Sequence, residues 1–299
     1  MTSLLLIAAV TFWGVSFVAT KMCLDYLSPA EIIAARFALA MPVLIAVSLQ
    51  KRLSFSFLRR YWTIVVAGAL VLAAHLLIQV EGMKTTTATN TAWLITTIPV
   101  FIVVLSFFIL KERINPRQIV GMVLAAFGVL ILVSRGELGS LNFIKSYGDW
   151  MVLASCVTWA IYTILGKKIA GAPSLAVTTV ILSVAAVVLV PPVFVTTGIA
   201  KYLSLPPRII IALLFLGFFC LGLAYWFWTE ALQRKTAGQV GVYLYLEPLS
   251  TTLVAPLVLG EAVTISLIGG GLLVAIGVWL VEHKSAVRGS INDRYAARP

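Results

Sequence analysis

The chain has 299 residues, 61% of them hydrophobic and only 11% charged, and its 22 lysines and arginines against 11 acids give a formal charge of +11. Apolar runs able to cross ~30 Å of hydrocarbon in ~20 helical residues exclude a soluble globular fold, and their apolar character at almost every position excludes a membrane β-barrel built from alternating strands of ~10 residues. The basic excess then belongs to loops at a membrane surface and implies no nucleic-acid partner.

Ten apolar spans are predicted, which makes the fold class an all-α membrane protein. The first, Leu4 to Met22, lacks the basic residue that usually precedes a cleaved signal and carries Trp13, Ser16 and Thr20, so it reads as a retained helix. The second, Ile32 to Leu49, holds Arg36 about a turn inside its start, where the side chain can reach the interface or a carboxylate such as Asp25 or Glu31. The third, Tyr61 to Val80, sets His75 and Gln79 at i,i+4. The fourth, Ala88 to Leu110, places Asn90, Trp93 and Thr97 at helical spacing ahead of Pro99, and the fifth, Gln118 to Val133, carries Gly121 and Ala125.

A loop up to Asp149 joins this half to the next. The sixth span, Trp150 to Leu165, offers Ser155, Trp159 and Tyr162; the seventh is Leu175 to Thr197; the eighth, Ile209 to Ala231, supplies Tyr225 and Trp228. In the ninth, Gly238 to Leu259, α-helical spacing stacks Gln239, Tyr243 and Glu247 on one face, with Pro248 beside the carboxylate. The tenth, Ile265 to Val281, holds Gly269, Gly270, Gly271 and Gly277, and a polar tail follows.

The stretch from Glu81 to Val281 repeats itself at an offset of 149 residues: Glu81/Glu230, Thr87/Thr236, Ala88/Ala237, Pro99/Pro248, Glu112/Glu261, Gly121/Gly270 and Gly128/Gly277. Five helices is an odd number, so the second copy enters the membrane upside down. Loop charges agree with that inversion. Lys111 and Arg113 flank Glu112, whereas Glu261 has lost both basic neighbours; Arg234 and Lys235 appear where the first copy has Thr85 and Thr86. Lys51, Arg52, Arg59, Arg60, Lys167 and Lys168 share a side with Lys111 and Arg234, outnumbering Lys21, Lys84, Arg135, Lys145, Lys201 and Arg208 opposite. The positive-inside bias then puts both termini in the cytoplasm, and the chain's lack of long tails favours a bacterial inner membrane.

The run GMKTTTATNTAWLITTIPVFIVVLSFFILKERINPRQIVGMVLAAFGVL, with Trp13-Gly14 in the first span and Ser28-Pro29 leading to Arg36-Phe37, resembles the EamA-type domain of the drug/metabolite transporter superfamily. The second copy is similar more loosely: Trp159-Ala160 replaces Trp-Gly and no Arg-Phe pair appears in the seventh span. The resemblance covers residues 4 to 282. It implies two inverted five-helix repeats, 1–134 and 150–282, around a central cavity, with an inter-repeat loop at 135–149 and a cytoplasmic tail at 283–299. It also implies export of small organic metabolites, closest in character to exporters of aromatic amino acids.

Polar residues inside spans are costly and so mark a pathway. The expected substrate-binding set is Trp13, Ser16, His75, Gln79, Asn90, Trp93, Trp159, Tyr162, Tyr225, Trp228, Tyr243 and Glu247. Glu247, midway along its helix, can hold the ammonium of an amino acid or an organic cation, or carry a coupling proton; a buried carboxylate satisfied by a neighbour is the structural alternative. Pro99 and Pro248 are expected hinges. Glu81, Glu112, Glu230 and Glu261 read as helix-end or gate-tethering residues, and the small faces of helices five and ten as close-packing surfaces and a possible subunit contact. No cofactor is expected. His75 has no second histidine in a span, and Cys23, Cys156 and Cys220 are isolated, so neither a metal site nor a disulfide framework is expected. Zinc-protease, nucleophile-elbow and Walker patterns are all missing, which disfavours an enzyme or an ATP-driven pump.

These readings converge on a secondary transporter working by alternating access, its partners a small-molecule substrate and the lipid bilayer. A neutral amino acid with an apolar or aromatic side chain is the expected cargo. An organic cation or nucleotide-like metabolite is the competing one, and a membrane-embedded enzyme or lipid-binding scaffold is the alternative of a different class.

Overall fold

The computed structural model describes residues 1–133, 146–169, 171–259 and 265–282. Most of the inter-repeat loop, Glu261 and the tail lie outside the described residues. Within them, every regular element is helical and none is a strand. That is the expected response to a solvent offering no hydrogen bonds, since a helix satisfies its backbone within one segment.

The long helices are α1 (Thr2–Leu24), α2 (Pro29–Gln50), α3 (Leu58–Gly82), α4 (Ala88–Leu110), α5 (Pro116–Val133), α6 (Tyr147–Lys168), α7 (Ser174–Thr197), α8 (Pro207–Arg234), α9 (237–259) and α10 (Ile265–Glu282), with a short helix, Ile199–Leu203, between α7 and α8. Seven of them, α1 to α4 and α6 to α8, are long and apolar enough to cross a membrane, and shorter apolar helices lie at Pro116–Ile131 and Gly269–Val281. The chain is an integral membrane protein by this measure.

Helix starts follow the sequence. Ser28, Ser146 and Thr236 each form a reciprocal capping box, with Glu31, Asp149 and Gln239 respectively. Thr87 and Thr236, equivalent in the repeat, are the N-caps of α4 and α9. Both helices are then broken at equivalent points. A 3₁₀ turn at Ile95–Thr97 leads into the segment containing Pro99, and another at Val242–Leu246 leads into the segment containing Pro248. Proline lacks an amide hydrogen and its ring crowds the carbonyl four residues back, so the preceding turn tightens. This corrects the single polar face expected on α9. In a 3₁₀ turn side chains align at i,i+3 and not at i,i+4, so Tyr243 and Glu247 do not stack as uniform α spacing predicts.

The helix pairings have a twofold pattern. α3 packs on α6 as α8 packs on α1; α2 meets α8 as α7 meets α3; α1 meets α9 as α6 meets α4; and α2–α7, α4–α9 and α5–α10 each pair equivalent helices. The α5–α10 contact shows it at atomic scale. A Cβ on Gly121 would lie 2.6 Å from the Gly277 carbonyl oxygen, and one on Gly128 would lie 2.7 Å from that of Gly270. These four residues are two repeat pairs crossed over, and the crossing makes the helices antiparallel. Bare backbone here permits close van der Waals approach, the main source of helix association where lipid is as apolar as the core. Gly121, Gly128, Gly270 and Gly277 are therefore occupied within the chain, whereas Gly269 of α10 stays open.

Gly277→Leu would drive a side chain into the Gly121 carbonyl and the Ala125 backbone, whereas a Cβ on Gly269 meets nothing within 4 Å. Thermal unfolding in detergent should show Gly277→Leu destabilised by about 1–3 kcal/mol, with Gly269→Leu unchanged.

Candidate substrate site

Local irregularity in α1, α8 and α9 builds the site. Phe215–Leu223 of α8 is wound wider than an α-helix, and the Cys220 carbonyl accepts a hydrogen bond from the Trp13 indole Nε1 at 2.9 Å. Wide turns of this kind recur at functional sites because they free backbone groups. Next to Trp13, Gly14 lets α1 touch α9 directly: a Cβ there would lie 2.5 Å from the Glu247 carbonyl oxygen. The Thr251 hydroxyl donates to the Gly14 carbonyl at 2.8 Å and fastens the contact. The Ser16 hydroxyl donates to the Trp13 carbonyl at 2.6 Å.

Six of the sequence-predicted residues form one buried ring cluster. Trp159 is its hub: its ring centroid lies 4.9 Å from Trp13, 5.0 Å from His75, 5.4 Å from Tyr162, 5.5 Å from Tyr225 and 5.6 Å from Trp228. Trp13 also packs against Tyr225 at 5.5 Å and Trp228 at 5.4 Å. Trp13–Trp159, Trp13–Tyr225 and Trp159–Tyr225 meet edge to face, as ring quadrupoles favour, and the other pairs are tilted. His75 Nδ1 lies 2.9 Å from the Ser155 carbonyl oxygen. A carbonyl can only accept, so Nδ1 carries the hydrogen. The indole N–H groups of Trp159 and Trp228 are buried without a partner.

Other predicted residues fall elsewhere. Asn90 stands apart from the rings: its amide donates to Asp149 at 2.6 Å and Thr86 at 3.0 Å, tying the start of α4 to that of α6. Gln239 is engaged in the α9 capping box, its carbonyl oxygen accepting from the Thr236 amide at 3.0 Å. Gln79 and Trp93 are partly buried, and Tyr243 is buried in the 3₁₀ turn preceding Glu247. Glu112 accepts from the Ala237 amide at the start of α9 at 3.1 Å, as a helix-end residue. Glu81 and Glu230 pair locally with Lys84 and Arg234.

Two charges stand out. Glu247 is 3% exposed and Arg36 4% exposed; neither side chain has a hydrogen bond or ion pair among the described residues, and Arg36 Nε is a buried orphan. The expected partnership of Arg36 with Glu31 fails because Glu31 is already taken. Its carboxylate accepts from Lys201 at 2.7 Å, Thr197 at 3.0 Å and the Ser28 amide at 2.7 Å. Asp25, the other carboxylate considered, is exposed and forms no ion pair with Arg36. Arg36 is a lone cation inside an apolar run, a pattern that in a membrane helix points to function.

The chain that builds this arrangement is similar to known proteins along almost its whole length. The EamA-like transporter family describes residues 1–134 and again 146–282. The chain belongs to that family. It is 31% identical to an uncharacterised transporter of Archaeoglobus fulgidus over 95% of this chain and 98% of the relative. It is 26% identical to a probable amino-acid metabolite efflux pump of Salmonella typhimurium over 92% of this chain and 93% of that protein. A crystal structure 21% identical in sequence superposes over 99% of both chains with a TM-score of 0.73, which shows a shared fold. Family members are transporters, so the chain's partners are a small-molecule substrate and the bilayer.

Trp13→Phe keeps a ring in the cluster but removes the donor to Cys220, whereas Trp228→Phe removes an indole N–H that has no acceptor. Unfolding midpoints should place Trp13→Phe below Trp228→Phe by about 1 kcal/mol, the net worth of one such bond.

Proposed function

We propose that this protein is a secondary transporter that exports neutral amino acids with apolar or aromatic side chains, working by alternating access. The observation that carries the reading is the buried ring cluster around Trp159, with two indole donors unpartnered and the Glu247 carboxylate unpartnered nearby. Close-packed interiors seldom leave such groups unsatisfied, and together they suit a ligand with a flat apolar body and a polar, cationic head. The efflux annotation carried by the Salmonella relative supports amino-acid cargo and an outward direction.

The twofold pairing of helices and the crossed glycines of α5 and α10 support ten spans arranged as two inverted repeats, 1–134 and 150–282. On this reading the matched breaks at Pro99 and Pro248 are the hinges, one in each repeat. Both termini lie in the cytoplasm on this reading, an orientation that the loop charges support. Glu247 is the group through which a proton gradient acts on flux. Gln79, Trp93 and Tyr243 contribute to the lining of the path, and Asn90 contributes through the α4–α6 tie.

Flux of labelled tryptophan, phenylalanine, threonine and a quaternary ammonium compound through proteoliposomes tests the reading. Tryptophan and phenylalanine should move saturably, and Trp159→Ala should lower their kcat/KM at least about tenfold, as expected for losing several ring contacts. Glu247→Gln should abolish the response to an imposed pH gradient. Flux of the cation alone would move the assignment to organic-cation efflux, and absence of any solute flux would return the enzyme or scaffold reading.

A further inference from the structure

Arg36 is tied to the same part of the bundle as Glu247. It lies seven residues into α2, where its own backbone carbonyl and Leu39 abut Gly217 of α8. One turn further along α8, the Cys220 carbonyl accepts the Trp13 indole hydrogen, and the next residue of α1, Gly14, rests on the Glu247 backbone. No ion pair joins Arg36 to Glu247 among the described residues.

An isolated buried ion costs several kcal/mol even after relaxation, which its surroundings normally offset by pairing. Here a guanidinium and a carboxyl group are both buried in one part of the bundle, with no ion pair between them among the described residues. Either would be relieved by a ligand group of opposite charge, and the guanidinium fork suits a carboxylate, which it can grip through two hydrogen bonds.

We propose that Arg36 and Glu247 are the two poles of a zwitterion site, Arg36 receiving the substrate's carboxylate and Glu247 its ammonium while the rings around Trp159 hold its side chain. This rests on the transport reading above and deepens it by assigning a separate residue to each charged group of the substrate. Organic cations satisfy only Glu247 and leave Arg36 bare, so they bind more weakly.

The test is equilibrium binding of tryptophan, tryptamine and indole-3-propionate to the purified full-length protein in nanodiscs, in wild type, Arg36→Gln, Arg36→Lys and Glu247→Gln, with a melting curve for each variant. In wild type, tryptophan should bind at least about tenfold tighter than either single-charge analogue, the worth of one charge-assisted hydrogen bond. Arg36→Gln should bind tryptophan and tryptamine alike, Glu247→Gln should bind tryptophan and indole-3-propionate alike, and Arg36→Lys should regain part of the preference for tryptophan over tryptamine. Should Arg36→Gln not fold, the wild-type ranking and the lysine variant decide. Equal wild-type affinity for all three indoles would overturn the zwitterion site while leaving an aromatic-solute transporter standing. An equal loss for all three ligands in Arg36→Gln would reduce the arginine to a packing role. No binding of any indole would remove the transport reading together with this one.

Discussion

Hydrocarbon offers no hydrogen-bond partner, and from that one constraint most of this structure follows. Backbone polarity has to be closed within helices, so every described element is a helix. Side-chain hydroxyls turn back onto their own helices, as Thr96 does to the Trp93 carbonyl and Thr229 to that of Tyr225. Helix ends are capped by side chains, and Lys167 reaches the carbonyls of Leu232 and Lys235 where α8 ends. Among the described residues, the buried side-chain groups left open are the indoles of Trp159 and Trp228, Arg36 Nε and the hydroxyls of Thr163 and Thr178, and the two indoles share one ring cluster.

The same constraint explains how small residues are used. With no hydrophobic gain from pressing one apolar helix on another in lipid, cohesion depends on close contact. The chain places glycine where backbones must nearly touch. Gly14 brings α1 onto α9 at Glu247, which serves the site, whereas the α5–α10 crossing lies between equivalent helices and serves the frame. Tight contact in one place and proline-broken helices in another divide the bundle into parts of different stiffness. α4 and α9, which carry the 3₁₀ turns, contribute Glu247 and Tyr243 to the interior; α5 and α10 contribute cohesion.

Much of this was legible in the sequence, because helical spans and a 149-residue repeat are periodic signals. The apolar spans, the pairing of Thr87 with Thr236, and the cluster of Trp13, His75, Trp159, Tyr162, Tyr225 and Trp228 all follow from apolar runs, the repeat and helical spacing. What could not be read was pairing between distant segments. Asn90 looked like a cavity residue because nothing in its own helix claims its amide; Asp149, 59 positions away, does so. Arg36 looked like an interface residue because Glu31 was near in sequence; Lys201 and Thr197, from the far end of α7 and beyond, had taken that carboxylate. The α9 face failed for a local reason, since uniform α spacing was carried across a proline that tightens the turn before it.

On the proposed reading, the division of the site between halves links binding to motion. Arg36, Trp13 and His75 come from the first half of the chain, while Glu247, Trp159, Tyr162, Tyr225 and Trp228 come from the second. A zwitterion held at both poles would therefore bridge the halves, and its two charge contacts would be strongest at a single separation of α2 from α9. Bending at Pro248 changes the position of Glu247, the adjacent residue, more directly than that of Arg36, whose helix packs on α7 and α8. The movement that opens the path would thus also pull the two poles out of register with the ligand, weakening its grip as the exit forms. A site whose charges paired with each other could not work this way, because the empty state would lock closed. Keeping Arg36 and Glu247 apart costs folding stability and keeps the unloaded protein free to return.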